Sequence, residues 1–292
     1  MNYQLKNDKV CVTISSIGAE IISAVRGDCE YMWQKDPKYW GDCAPLLFPI
    51  CGRMVEGVYN YRGKAYELGI HGFARFYEYD VEKVGDDALR FTLCDNAETL
   101  AAYPFKFKFS VLYRLCEDTL YSEVTITNTG YEVLPCTFGA HPGFNVPLEK
   151  DKALTDYFVK FDKPCAPKRI VVSPARFITH DTVPYPTDNG KIHLTHEMFD
   201  DDAIFMLDIA DSVTLECEGA KNYVRVTYPD MPYVGLWKAD HTDAPYVCIE
   251  PWCGLPAYDG EIDDFETKEP FFRLKSGENK TVRYSITYGL NG

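Results

Sequence analysis

The chain has 292 residues, 46% of them apolar and 25% charged, and a formal net charge of −14. That length carries a full hydrophobic core, while the excess of acid, with no Lys/Arg block to offset it, argues against nucleic acid or an anionic membrane surface as partner. Eleven cysteines, an odd number with no CxxC pair and no zinc-finger spacing, point to free thiols in a reducing, cytoplasmic compartment; residues 1–6 lack the basic and then apolar run of a signal peptide, and the apolar stretch 44–51 is too short and proline-broken to span a bilayer.

Residues 10–14 alternate, and 20–25 read as their hairpin partner across Ser15-Ser16-Ile17-Gly18. Asp36-Pro37-Lys38-Tyr39-Trp40 has the Asp and Pro that open a short helix or turn. Residues 45–51 form an apolar run that delivers Gly52-Arg53, and 58–61 with 65–68 make a second hairpin about Arg62-Gly63. Period two is clearest at 105–115. Phe105, Phe107, Phe109, Val111, Tyr113 and Leu115 occupy one face, with Lys106, Lys108, Ser110 and Arg114 on the other, which predicts a strand with one solvated face. Glu117-Asp118 turns it and 120–127 returns. Further strands are predicted at 89–93, 133–138, 157–161, 203–207, 213–218, 223–228, 233–237 and 282–288. Helix is predicted only at 97–103 and 194–199, and 182–189 reads as loop. With 21 Tyr and 17 Phe, the pattern is all-β and mainly antiparallel, and no linker or repeat divides residues 1–292, which read as one domain.

Chemistry gathers where predicted strands end. Residues 246–249 read as a buried strand that ends on Glu250 and is closed by Pro251, which holds Glu250 extended. A carboxylate in such a semi-apolar collar is a candidate base. Cys51-Gly52-Arg53, Ile70-His71-Gly72-Phe73-Ala74-Arg75 and Phe138-Gly139-Ala140-His141-Pro142-Gly143-Phe144 share the format, an apolar run followed by a polar group in a Gly- or Pro-rich turn. Asp202, leading into a strand, is a fifth candidate, and Asp201 in the same acidic run is its alternative. Each also has a local explanation: a core histidine for His71, surface ion pairs for Arg53 and Arg75, a turn cap for Asp202.

His180, His193, His196 and His241 stand in polar loops and read as surface groups, and no metal-site signature surrounds His193 and His196. There is no Gly-x-Ser-x-Gly, phosphate loop or GxGxxG. Two histidines, a glutamate and arginines suit proton transfer to and from oxygen near neutral pH. Trp252, Phe73 and Trp237 offer apolar platforms for a sugar ring.

In their order and separations, His71-Gly72-Phe73-Ala74-Arg75, Ala140-His141-Pro142-Gly143-Phe144 and Ile249-Glu250-Pro251-Trp252 resemble the aldose 1-epimerase (galactose mutarotase-like) family. Their spelling and the compact length are closer to its LacX-like and glucose-6-phosphate 1-epimerase-like branch than to the longer galactose mutarotases. The resemblance implies a large antiparallel β-sandwich, a supersandwich with few short helices. It also implies a cytoplasmic isomerase that needs no cofactor and no metal and acts on a small aldose such as glucose or galactose. By motif, Glu250 is implied as the base that takes the C1 hydroxyl proton, and His141 as the acid that protonates the ring oxygen. His71, Arg53 and Asp202 are implied as groups that hold the sugar.

Two alternatives stay open. One is a hexose 6-phosphate as substrate, gripped by Arg53 and Arg75; the other is a sugar-binding module without turnover. Two stretches depart from the family pattern. Phe76-Tyr77-Glu78 follows the first motif, and the polar run Lys238-Ala239-Asp240-His241-Thr242-Asp243 is placed to reshape the pocket rim.

Overall fold

The computed structural model describes residues 1–291. The period-two segments pair into two large antiparallel sheets. In the nine-stranded one, Asn279–Leu290 is central, flanked by Asn222–Thr227 and Thr119–Asn128. Phe107–Cys116 pairs with Thr119–Asn128 over its whole length, from Phe107 opposite Asn128 to Cys116 opposite Thr119, about the predicted Glu117-Asp118 turn. The eight-stranded sheet runs Ile178–Pro184, Lys168–Val172, Ile204–Leu207, Tyr233–Trp237, Tyr246–Trp252, Gly139–Ala140, Leu46–Leu47, with Gly143–Asn145 also paired to Tyr246–Trp252.

The inward faces of the two sheets share one apolar cluster. Phe109, Val111, Val124, Ile126, Val282 and Ile286 from one sheet join Leu46, Ile204, Met206, Val234, Leu236, Val247 and Ile249 from the other. Burying each such side chain contributes about 1.5–3 kcal/mol, and a one-residue slip would turn all of them outward, so the register is fixed by the alternation.

The same alternation gives the eight-stranded sheet a second, chemically different face. Tyr246, Cys248, Glu250 and Trp252 point away from Val247 and Ile249, and are joined there by Trp237 and Phe205 from the neighbouring strands. This outer face is the floor of the candidate site.

Several boundaries differ from the sequence reading. The strand carrying Glu250 does not stop at Pro251 but runs through it, as Tyr246–Trp252, in the middle of its sheet. The amides of Ile249 and Cys253 donate to Pro142 and Phe138, so position 251, lying between them, faces the same side. There the neighbouring chain leaves the ladder between Gly139–Ala140 and Gly143–Asn145. A missing N–H is tolerated where no acceptor is in register.

The helix predicted at 97–103 forms as Ala97–Ala102, capped by the Asn96 side chain, which accepts from the amides of Glu98 and Thr99, each at 2.9 Å. The one predicted at 194–199 is only a 3-10 turn, Glu197–Phe199, and the Leu194 amide donates to the Tyr157 carbonyl at 3.0 Å as the chain leaves the preceding strand, Lys191–His193. Part of the 182–189 loop is instead the end of an edge strand, Ile178–Pro184, where proline is accommodated. All eleven cysteines are free, and no helix among the described residues is long and apolar enough to cross a membrane.

Candidate active site

Glu250 faces Gly235 on the adjacent strand, where a Cβ would lie only 3.4 Å from the Glu250 Cβ and from the Phe205 ring. Glycine there leaves the carboxylate its space. His141 sits in the break of the next strand, its amide donating to the Pro45 carbonyl at 3.2 Å. These placements bring His141 Nε2 to 3.3 Å from Glu250 Oε2, with both side chains buried. Glu250 Oε1 has no protein partner.

Burial drives both groups toward their neutral forms. It pushes the His141 imidazole down to about 3, and it pushes the Glu250 carboxyl well above the usual range, with the negative charge of Asp202 adding to the effect. Both shifts favour the pair with the proton on the carboxyl and the imidazole neutral. Trp40 stacks on the His141 ring at 4.9 Å and 29°, and Trp237 meets it edge-on at 5.6 Å. The π-face of Trp40 favours the imidazolium when the proton moves onto His141.

His71 is buried beside this pair, its ring 5.4 Å from that of His141 and perpendicular to it. The Gly52 amide donates to His71 Nδ1 at 3.0 Å, so the ring proton sits on Nε2. Burial, followed by the neighbouring His141, Arg75 and Arg53, holds this imidazole well below its ordinary pKa. His71 is thus a fixed neutral donor. The backbone that aims it is left-handed at two successive residues, His71 (φ 64°) and Gly72 (φ 70°).

A Cβ on Gly72 would lie 2.3 Å from the Phe48 carbonyl oxygen, and that carbonyl already accepts the Phe73 amide at 3.0 Å. Gly72→Ala is expected to cost more than the ~1–2 kcal/mol of a left-handed alanine because backbone must also move. It should lower the thermal midpoint by several degrees, measured by melting. An unchanged midpoint would show that the turn is not fixed in this way.

The cavity above these groups measures about 280 Å³, and Glu250, His141, His71, Arg53, Asp202 and Arg75 all line it. Asp202, held at φ 99°, is the acid on its wall, whereas Asp201 is exposed and faces a separate groove. Arg53 reaches Asp202 at 3.6 Å, and Arg75 is held by Asp42 at 2.9 Å.

Three contributors escaped the sequence reading. Trp40 lies in a turn that carries no local sign of its stacking partner. Arg176 lines the cavity from a surface turn and pairs with Asp240 of the polar rim loop. Trp252, read only as an apolar platform, is a wall residue with a buried, unpartnered indole N–H. His180, His193 and His241 lie on the surface, paired with Glu261, Asp188 and Asp200. His196, expected there too, is instead half-buried with an unpartnered Nδ1, just ahead of the 3-10 turn Glu197–Phe199 that buries Phe199.

An antiparallel sandwich that displays one buried carboxylate–imidazole pair, a neutral imidazole donor and aromatic walls matches known proteins along its length. A model of the aldose 1-epimerase family matches residues 1–287. The chromosomal LacX protein of Lactococcus lactis subsp. lactis is 30% identical over 297 aligned positions, covering 98% of this chain and 99% of that protein. Among solved structures, a galactose mutarotase related enzyme from Lactobacillus acidophilus superposes with a TM-score of 0.94 at 35% identity, covering 100% of both chains. A galactose mutarotase-like protein from Lactobacillus casei ATCC 334 gives 0.91 at 32%, covering 98% of this chain and 99% of that one. The fold is the galactose mutarotase-like sandwich, and the chain belongs to the aldose 1-epimerase family.

Proposed function

We propose that the protein is a cofactor-independent hexose mutarotase. The observation that carries this reading is the buried contact of 3.3 Å between His141 Nε2 and Glu250 Oε2 at the floor of a sugar-sized cavity. A hexopyranose bound over the pair solvates it with hydroxyls, and the shared proton passes to His141 without any change in net charge. Glu250 then takes the proton of the C1 hydroxyl while His141 gives its proton to the ring oxygen. The C1–O5 bond breaks, the open aldehyde turns about C1–C2, and ring closure returns both protons from the other face. His71 Nε2–H, the Trp252 N–H, Arg53 and Asp202 hold the remaining oxygens. Each positioned acid or base supplies roughly 10²–10⁴ in rate.

An unphosphorylated sugar fits better than a 6-phosphate. Each guanidinium of the cavity already faces a carboxylate: Arg53 with Asp202, Arg75 with Asp42, Arg176 with Asp240. None is left to meet a dianion without giving up its partner. Polarimetry on freshly dissolved α-D-glucose and α-D-galactose should show anomerisation well above buffer, and at least about tenfold above that on glucose 6-phosphate, a gap of about 1.4 kcal/mol. Asp240→Asn, which releases Arg176, should move the preference several-fold toward the phosphate. Rates no faster than buffer on every sugar would leave only a binding module. A faster rate on the phosphate would overturn the substrate assignment.

A further inference from the structure

Cys248 is a buried nucleophilic group beside the acid–base pair that the proposed mechanism does not use. It stands two residues before Glu250 on the same face of the same strand and is wholly buried. Cys248 Sγ, a ring nitrogen of His141 and a Glu250 carboxylate oxygen all lie within 4.8 Å of one another. The imidazole and the carboxylate are already in contact, Nε2 to Oε2, at 3.3 Å. Tetrahedral zinc, with bonds of about 2.0–2.3 Å, holds its ligand atoms about 3.5 Å apart, so the trio closes on an ion with side-chain adjustments of about 1 Å. His141 and Glu250 both line the cavity, so an ion held by them would border it. An independent sign that the site lacks a partner is the Glu250 carboxylate oxygen Oε1, which is buried and unpaired.

We propose that Cys248, His141 and Glu250 form a latent site for a soft divalent cation, which Zn²⁺ occupies to block the sugar. One sulfur, one imidazole nitrogen and one carboxylate form a donor set that selects zinc over magnesium or calcium, which need several oxygens. Binding releases two protons, the thiol proton of Cys248 and the one shared by Glu250 and His141. The product is Zn²⁺ with a thiolate, a carboxylate and a neutral imidazole. Its net charge is zero, which suits the apolar cluster of Trp33, Tyr246, Trp40 and Trp237 in which Cys248 is packed. The ion sits on the two groups that must reach C1–OH and O5, so zinc and sugar exclude one another. Only this inhibition rests on the mutarotase reading; the binding site does not.

The test uses the full chain in chelator-treated buffer. Zn²⁺ should slow mutarotation competitively with sugar, EDTA should restore it, and Mg²⁺ at the same concentration should do nothing. Cys248→Ala, compared with its own metal-free rate, should need at least about tenfold more Zn²⁺ for half-inhibition than wild type, equivalent to 1.4 kcal/mol. Co²⁺ added to the wild type should give a near-ultraviolet thiolate-to-cobalt band that Cys248→Ala lacks. Should the alanine variant misfold, Cys248→Ser, of nearly the same volume, replaces it. Equal zinc sensitivity in wild type and variant, or a cobalt band unchanged by the substitution, overturns the proposal. The cobalt band decides the site even in a protein that turns over no sugar, and the metal-free rates decide the mutarotase reading without it.

Discussion

Glu250→Gln should cut the anomerisation rate at least about 10²-fold and, at the same time, make the folded chain the more stable of the two at alkaline pH. Both effects come from one cause. Glu250 lies on a strand buried on both faces, and desolvation raises its carboxyl well above the ordinary 4.5. Folding therefore raises this pKa, and the folded chain keeps a proton that the unfolded chain releases above pH 4.5. The stability contributed by that proton is full below 4.5 and falls as pH rises toward the folded value, by about 1.4 kcal/mol per pH unit. Glutamine has no such proton, can still donate to His141 Nε2, and cannot act as a base.

His141 acts in the opposite sense. Its folded value of about 3 lies below the ordinary 6.5, so its contribution is full above 6.5 and is lost as pH falls from there. In the wild type the two slopes cancel between 4.5 and 6.5, and stability declines above that window. In the variant it climbs to 6.5 and then levels. Denaturant midpoints at pH 5 and pH 8 should show the stability difference growing in favour of glutamine. A difference that stays constant with pH, or a variant with near-wild-type rate, refutes the role given to Glu250.

His141→Asn should lose a comparable factor, at least about 10², and change the shape of the pH profile. In the wild type the working pair carries one proton. A second proton arrives only near His141's value of about 3, and the single one leaves only at the raised pKa of Glu250, so the rate should be flat between those two limits. With asparagine at 141, no imidazole takes the proton off Glu250. The base then forms only as pH rises through its own raised pKa, and the residual rate should climb with pH where the wild type is flat. Steady-state rates from pH 4 to 9 in chelator-treated buffer check this. A variant with the same plateau as wild type would remove His141 from proton transfer and leave it a binding group.

Most of the frame was legible in the chain because strand side chains alternate, and alternation is local information. The run from Phe105 to Leu115, the hairpin about Arg62-Gly63 and the strand 233–237 follow from residues that touch their sequence neighbours. The acid–base candidates were legible too, because Pro142 and the glycines around His71 and His141 announce turns where the backbone must bend sharply.

Legible in the chain itself are thus the class of fold, the faces of the strands and five of the polar groups that line the cavity, Glu250, His141, His71, Arg53 and Arg75, while Arg176 and the choice of Asp202 over Asp201 emerged only with the folded structure. Tertiary structure alone decided how those groups are partnered. The stacking of Trp40 on His141, the capture of Arg75 by Asp42, the Arg176–Asp240 pair and the free N–H of Trp252 each depend on which strand lies beside which. So does the passage of Pro251 through a central strand, possible only because its neighbour leaves the ladder at His141. Pairings of that kind join residues tens to hundreds of positions apart. They form when sheet register and core packing close the intervening loops, and no local pattern encodes them.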